Sequence, residues 1–186
     1  MAIPDILTAK INHGFDHLDA DGDGQLTEHD HVLVGQRVAT SLGHSPGSPV
    51  ERQIIEAYLR IWRDLHLVYL PGGGIAISKE QFLASTLTLA TDPAAAHATV
   101  GALATAFLAI ADIDHDGQIG LAEFRAFHSG HCPNLTDAGE AFAHLDTDGD
   151  GHLSAQEFTQ ATVEYWSSND PDAPGNWWLG RLTYQR

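Results

Sequence analysis

Three stretches of this 186-residue chain set oxygen donors at one repeated spacing. In the last, Asp146, Asp148 and Asp150 hold positions 1, 3 and 5 of a twelve-residue segment. Gly151 follows at position 6, Leu153 at position 8 and Glu157 at position 12. Asp112, Asp114, Asp116, Gly117, Ile119 and Glu123 repeat the order, as do Asp19, Asp21, Asp23, Gly24 and Leu26, with Asp30 instead of glutamate at position 12. Carboxylates packed this closely repel unless a cation sits among them. A hard divalent ion such as calcium takes six to eight oxygens, and one chain supplies them by folding back on itself. Side chains then come from positions 1, 3 and 5, a main-chain carbonyl from position 7 (Gln25, Gln118 and His152) and two oxygens from position 12, with glycine at 6 for the turn. Gly120 leaves position 9 of the second such loop to water. Ser154 fills that place in the third, directly or through water.

Helices must flank each loop to hold it. Ile6, Leu7, Ile11, Phe15 and Leu18 recur every three or four residues and predict a helix over 4–18, beginning at Pro4. An exit helix follows from Glu28 to about Leu42, and Gly43 to Pro49 reads as a linker. Ser48, Pro49 and Glu51 give a helix start with a serine cap, proline in the first turn and glutamate three residues past the cap. That helix is expected to reach about Tyr69, with Ile54, Tyr58, Ile61, Trp62 and Leu65 on its apolar face. Asp92-Pro93 opens another, with Val100, Leu103, Phe107 and Ile110 lined up inward. Further helices are expected from Leu121 to about Ser129, from about Thr136 to Leu145, and after Ser154 to about Ser168. Gly130 to Asn134 reads as a connector.

Between Leu70 and Phe82 a fourth loop keeps the register of the others, with Ile77, Gln81 and Phe82 where they carry Ile119, Glu123 and Phe124. Its first half has Leu70, Gly72 and Gly74 in place of aspartates, so it is read as unable to hold calcium. The backbone around position 8 needs a partner; Leu26 is therefore expected opposite Ile77, and Ile119 opposite Leu153. The turn-rich segment from Asn169 ends in Trp177, Trp178 and Leu179, which are expected to dock on the helical body.

These loops, with Phe107 and Phe142 on the entering helices, resemble the EF-hand superfamily. Four hands with the second degenerate, and the Pro174 to Trp178 tail, are similar to the sarcoplasmic calcium-binding proteins and their bacterial calerythrin-like members. The resemblance implies an all-α globule of four helix-loop-helix hands in two pairs, with short two-stranded ribbons and a packed tail. Its divisions are residues 1–90, 91–168 and 169–186. It also implies a calcium buffer or carrier with three Ca2+ sites. Asp30, one methylene shorter than glutamate, predicts weaker calcium binding or Mg2+ competition at the first site, unless relaxation of the loop restores a two-oxygen grip. Two other readings share the architecture: a sensor exposing an apolar groove to a target, and a binder of an aromatic small molecule in a cavity lined by Tyr58, Trp62, Trp166 and the tail tryptophans. Against the sensor, the single methionine is Met1, whereas adaptable target grooves lean on methionine.

Composition agrees. The ligand positions of the three loops hold twelve of the 25 acidic residues, and the thirteen left nearly balance nine Lys and Arg, so most of the −16 net charge is metal-site charge. No basic stripe meets nucleic acid, and no nucleophile or phosphate-binding motif suggests an enzyme. The apolar run 99–111 is short for a membrane span, and no secretory signal is visible, so a cytoplasmic monomer is expected. Cys132 is read as a small buried thiol. His13 and His17 share a helix face at a spacing used for zinc, but no third ligand joins them in sequence, and they are read as solvated. His29 and His31 flank Asp30 and suggest a mild acid sensitivity of metal occupancy.

Overall fold

The computed structural model describes residues 5–67, 70, 74–133 and 137–182, the Leu65 side chain excepted. Pro4, Tyr69, Gly72, Asn134 and Thr136 therefore lie outside the described residues. Among these residues the chain folds into eight α-helices and two ribbons: α1 (Ile6–Leu18), β1 (Gln25–Thr27), α2 (Glu28–Ser41), α3 (Pro49–Ile61), β2 (Ala76–Ser78), α4 (Lys79–Leu87), α5 (Pro93–Ala111), β3 (Gln118–Gly120), α6 (Leu121–His131), α7 (Ala138–Leu145), β4 (His152–Ser154) and α8 (Ala155–Ser167).

Local chemistry sets the helix starts. Thr27, Ser78 and Ser154 cap α2, α4 and α8 through their hydroxyls, and Asp30, Gln81 and Glu157 return to the cap amide, completing capping boxes. Ser48 caps α3 by accepting from the Glu51 amide at 3.1 Å, with Pro49 in the first turn. The Glu51 carboxylate reaches past the cap to the Gly47 amide. Asp92 and Asp137 accept from Ala95 and Glu140 amides at 3.0 and 2.9 Å to start α5 and α7.

Both expected strand registers are present. Leu26 stands opposite Ile77 across β1 and β2, and Ile119 opposite Leu153 across β3 and β4, antiparallel in each case. All four apolar residues are buried in one continuous core with Phe15, Phe82, Phe107, Phe124, Phe142 and Phe158.

Three elements differ from expectation. The α3 helix widens into a π-helical turn over Trp62–His66. There the ring centroids of Trp62 and His66 lie 5.4 and 5.0 Å from that of His31. On α5 the inward face is Ala96, Val100, Ala104, Phe107 and Ala111, with Leu103 and Ile110 only half-buried. The face of small alanines is thus turned into the core, away from the orientation the larger residues suggest. At 19 residues α5 is long and apolar enough to cross a bilayer, but it runs directly from the Asp92 cap into the Asp112 loop with that alanine face in the core. Finally, α6 extends through Gly130 to His131 rather than stopping near Ser129. A Cβ on Gly130 would lie 2.5 Å from Val38 Cα and 2.6 Å from Ser41 Oγ, so the missing side chain lets α6 lie on α2.

The tail is docked. Trp178 and Leu179 are buried, and the Trp178 ring lies edge-on to Phe158 at 4.6 Å and to His128 at 5.1 Å. Trp177 stacks on His144 at 4.0 Å. Lys10, fully buried on α1, donates to the carbonyls of Glu164 and Ser168 at 2.8 and 2.7 Å and to Asn176 Oδ1 at 2.8 Å. An ammonium suits the carbonyl-rich C-terminal end of α8. Burial pushes its pKa down to about 8, with Glu164, Asp5 and Asp170 opposing that shift.

Candidate metal sites

Each acidic loop leaves one helix and enters the next through a ribbon strand, so its ends are fixed on both sides. Two left-handed residues then close the turn. Gly24, Gly117 and Gly151 at position 6 have φ of 84°, 86° and 89°. Position 4 is left-handed as well, at Gly22, His115 and Gly149, with φ of 75°, 63° and 72°. Glycine at position 4 in two of the three loops is the sequence signal of this second requirement, which the ligand spacing alone does not reveal. His115 meets it without glycine, at a backbone cost that histidine tolerates better than most residues.

The fold gathers three clusters of carboxylate oxygens: Asp19, Asp21 and Asp30; Asp112, Asp114 and Glu123; Asp146, Asp148 and Glu157. Within each, one oxygen per residue lies within 4.8 Å of the others. All donors are hard oxygens, fitting a calcium-class cation and not one preferring nitrogen or sulfur. Asp23, Asp116 and Asp150 at position 5 lie outside these clusters and each accepts from the amide two residues on, at 2.8 Å. Gln25, Gln118 and His152 begin their strands with side chains exposed.

The position 12 acids stitch each loop to its exit helix. Glu123 Oε1 accepts from the Ile113 and Asp114 amides at 2.7 and 3.3 Å, and Oε2 from Gly120 at 2.8 Å. Glu157 does the same with Thr147, Asp148 and Ser154, adding both hydroxyls. Partial burial works against its ionisation, but the Ser154 and Thr147 hydrogen bonds outweigh this and hold its pKa at about 2. Asp30 makes the equivalent set: Oδ1 accepts from Ala20 and Asp21 amides at 3.0 and 3.3 Å, and Oδ2 from the Thr27 amide and hydroxyl at 2.8 and 2.6 Å. Asp30 thus reaches the three equivalent backbone amides with one methylene less. Asp30 is fully buried, whereas Glu123 and Glu157 are half-exposed.

The histidines beside Asp30 do not act as a pair. His29 is exposed. His31 is buried, its Nδ1 2.7 Å from the Thr27 carbonyl, and burial lowers its pKa to about 4. Nor are His13 and His17 separately solvated, for their Nε2 atoms lie 3.1 Å apart. Cys132 is buried as expected, and burial raises its thiol pKa.

A cavity of about 70 Å³ opens between α4, α5 and α8, lined by His66, Phe82, Val100, Phe107, His131 and Trp166 among others. Of the aromatic residues expected to line a cavity, Trp166 does so, whereas Tyr58, Trp62 and Trp178 belong to the packed core.

The loops also carry a family signature. Residues 137–164 match the model described as EF-hand domain, and residues 104–128 the one described as EF hand. Obelin of Obelia geniculata is 30% identical over 174 residues, which cover 87% of this chain and 84% of obelin. Calerythrin of Saccharopolyspora erythraea is 26% identical over 162 residues, covering 86% of this chain and 92% of calerythrin. Among solved structures, the calcium-loaded apo form of coelenterazine-binding protein from Renilla muelleri superposes with a TM-score of 0.75 at 26% identity, covering 95% of this chain and 96% of that one.

Proposed function

The chain belongs to the EF-hand superfamily, among the calerythrin-like calcium-binding proteins that share the sarcoplasmic calcium-binding protein fold, and on that footing we propose that it is an intracellular calcium buffer with three metal sites. The ligands are Asp19, Asp21, Asp23 and Asp30 with the Gln25 carbonyl; Asp112, Asp114, Asp116 and Glu123 with the Gln118 carbonyl; and Asp146, Asp148, Asp150 and Glu157 with the His152 carbonyl. The protein supplies preset turns and a position 12 carboxylate already anchored to its loop, so binding requires the position 5 aspartates to turn inward rather than the chain to refold. The shorter position 12 acid of the first loop, Asp30, favours the smaller Mg2+ more than the glutamates of the other two do.

One observation carries buffering over sensing. The tail side chains Trp178 and Leu179 are buried, Trp178 against Phe158 and His128, in the apolar surface a target helix would need. A small-molecule role draws support from the likeness to coelenterazine-binding protein, but the aromatic-lined cavity beside Trp166, at about 70 Å³, is far below the roughly 300–1,000 Å³ of ligand pockets. Calcium titration in the presence of ANS tests the choice. Unchanged or reduced dye fluorescence supports a buffer, and a several-fold rise would establish a sensor. Calorimetry of the chelator-treated protein is expected to show three calcium ions bound per chain.

A further inference from the structure

Away from the acidic loops, the half-buried His13 on α1 brings its Nε2 within reach of two further lone-pair atoms. His13 and His17, one helical turn apart, bring their Nε2 atoms to 3.1 Å, with the rings nearly perpendicular at 86°. The Leu179 carbonyl oxygen of the docked tail lies 3.2 Å from His13 Nε2. A neutral imidazole has one N–H to share between two nitrogens. If His17 donates to His13, the Leu179 oxygen faces a nitrogen lone pair. If His13 carries the proton on Nε2, that single hydrogen must serve both His17 and Leu179. Hydrogen bonding therefore satisfies this trio incompletely.

A cation that accepts all three lone pairs satisfies it fully, and we propose that His13 Nε2, His17 Nε2 and the Leu179 carbonyl form a site for a borderline d-block cation, with Zn2+ as its probe. Zinc binds imidazole nitrogen at about 2.0–2.1 Å, so two tetrahedral nitrogen ligands stand about 3.3–3.4 Å apart. The observed 3.1 and 3.2 Å separations fall within about 0.3 Å of that, a difference small ring rotations absorb. Helical histidines four residues apart are a recurrent zinc pair, and water completes the shell. Imidazole selects such ions over calcium and magnesium, which want oxygen, so this site and the acidic loops do not compete. Occupied, it fastens the tail at Leu179 to α1, whose last residue precedes Asp19.

The test uses the full chain with its loops saturated by calcium. Zinc titration against a chromophoric chelator is expected to show one zinc per chain. Affinity is expected to fall at least about tenfold in His13→Asn and in His17→Asn, and to stay unchanged in His29→Asn. Cobalt(II) added to the unsubstituted, calcium-saturated protein is expected to give the intense visible absorption of a nitrogen-ligated, low-coordinate ion, which needs no variant to fold. Circular dichroism of the two variants establishes that they are folded. Absence of zinc binding under calcium saturation, binding undiminished in both folded variants, or only the weak spectrum of hydrated cobalt would each overturn the site and leave a hydrogen-bonded histidine pair. None of these results bears on calcium binding by the loops.

Discussion

Leu26 of the acidic first loop faces Ile77 of the loop that lacks aspartates, both buried, in the register that joins Ile119 to Leu153 in the other half. A loop with few ligands thus closes the ribbon of a neighbour rich in them. Ile77→Ala removes most of a buried side chain and is expected to cost about 2–5 kcal/mol of stability. It is also expected to weaken metal binding at the first loop, although Ile77 is no ligand. Denaturant unfolding and site-resolved calcium titration check both.

Asp30 reaches the amides that Glu123 and Glu157 reach with one more methylene. Asp30→Glu is expected to push α2 outward, raise calcium affinity at the first site and reduce magnesium competition there. Calcium titrations with and without millimolar magnesium measure the change.

His128 and His131 are buried on α6. His128 sits between the Phe124 and Trp178 carbonyls at 3.2 and 3.0 Å, and His131 Nδ1 lies 2.7 Å from the Tyr58 hydroxyl. Burial lowers the first to about 4 and the second well below its ordinary value. The folded protein keeps both neutral, while the unfolded chain protonates them below about pH 6.5. Stability is therefore full above that pH and declines as pH falls, by up to about 1.4 kcal/mol per pH unit for each histidine. Thermal melts of the calcium-loaded protein between pH 7 and 5 are expected to show the decline, with a shallower slope in His131→Gln.

The Gly130 contact with Val38 and Ser41 has no room for a methyl group. Gly130→Ala is expected to destabilise the protein by about 1–3 kcal/mol through overpacking between α2 and α6, read as a lower urea midpoint at unchanged slope.

Much of this was legible in the chain itself, and the exceptions share a cause. The acidic loops, the capped helix start at Ser48 and both strand registers follow from local spacing, because each is settled by the pattern of a dozen residues. What could not be read depends on a neighbour distant in sequence. Gly130 resembles a linker residue until α2 lies against it. Leu103 and Ile110 look like core until the assembled helices turn the alanine face of α5 inward. Lys10 has the composition of a surface residue, and only the last segment of the chain supplies its three acceptors. The meeting of His13 with His17 is local, but its third member, Leu179, is 166 residues away.

Lys10 has a consequence for how the molecule comes into being. Its ammonium is fully enclosed, and its acceptors belong to residues 164, 168 and 176. During synthesis the first helix is made long before any of them exists, and cannot bury this charge without them. The burial of this charge is therefore completed only when the carboxyl end of the chain docks on the first helix.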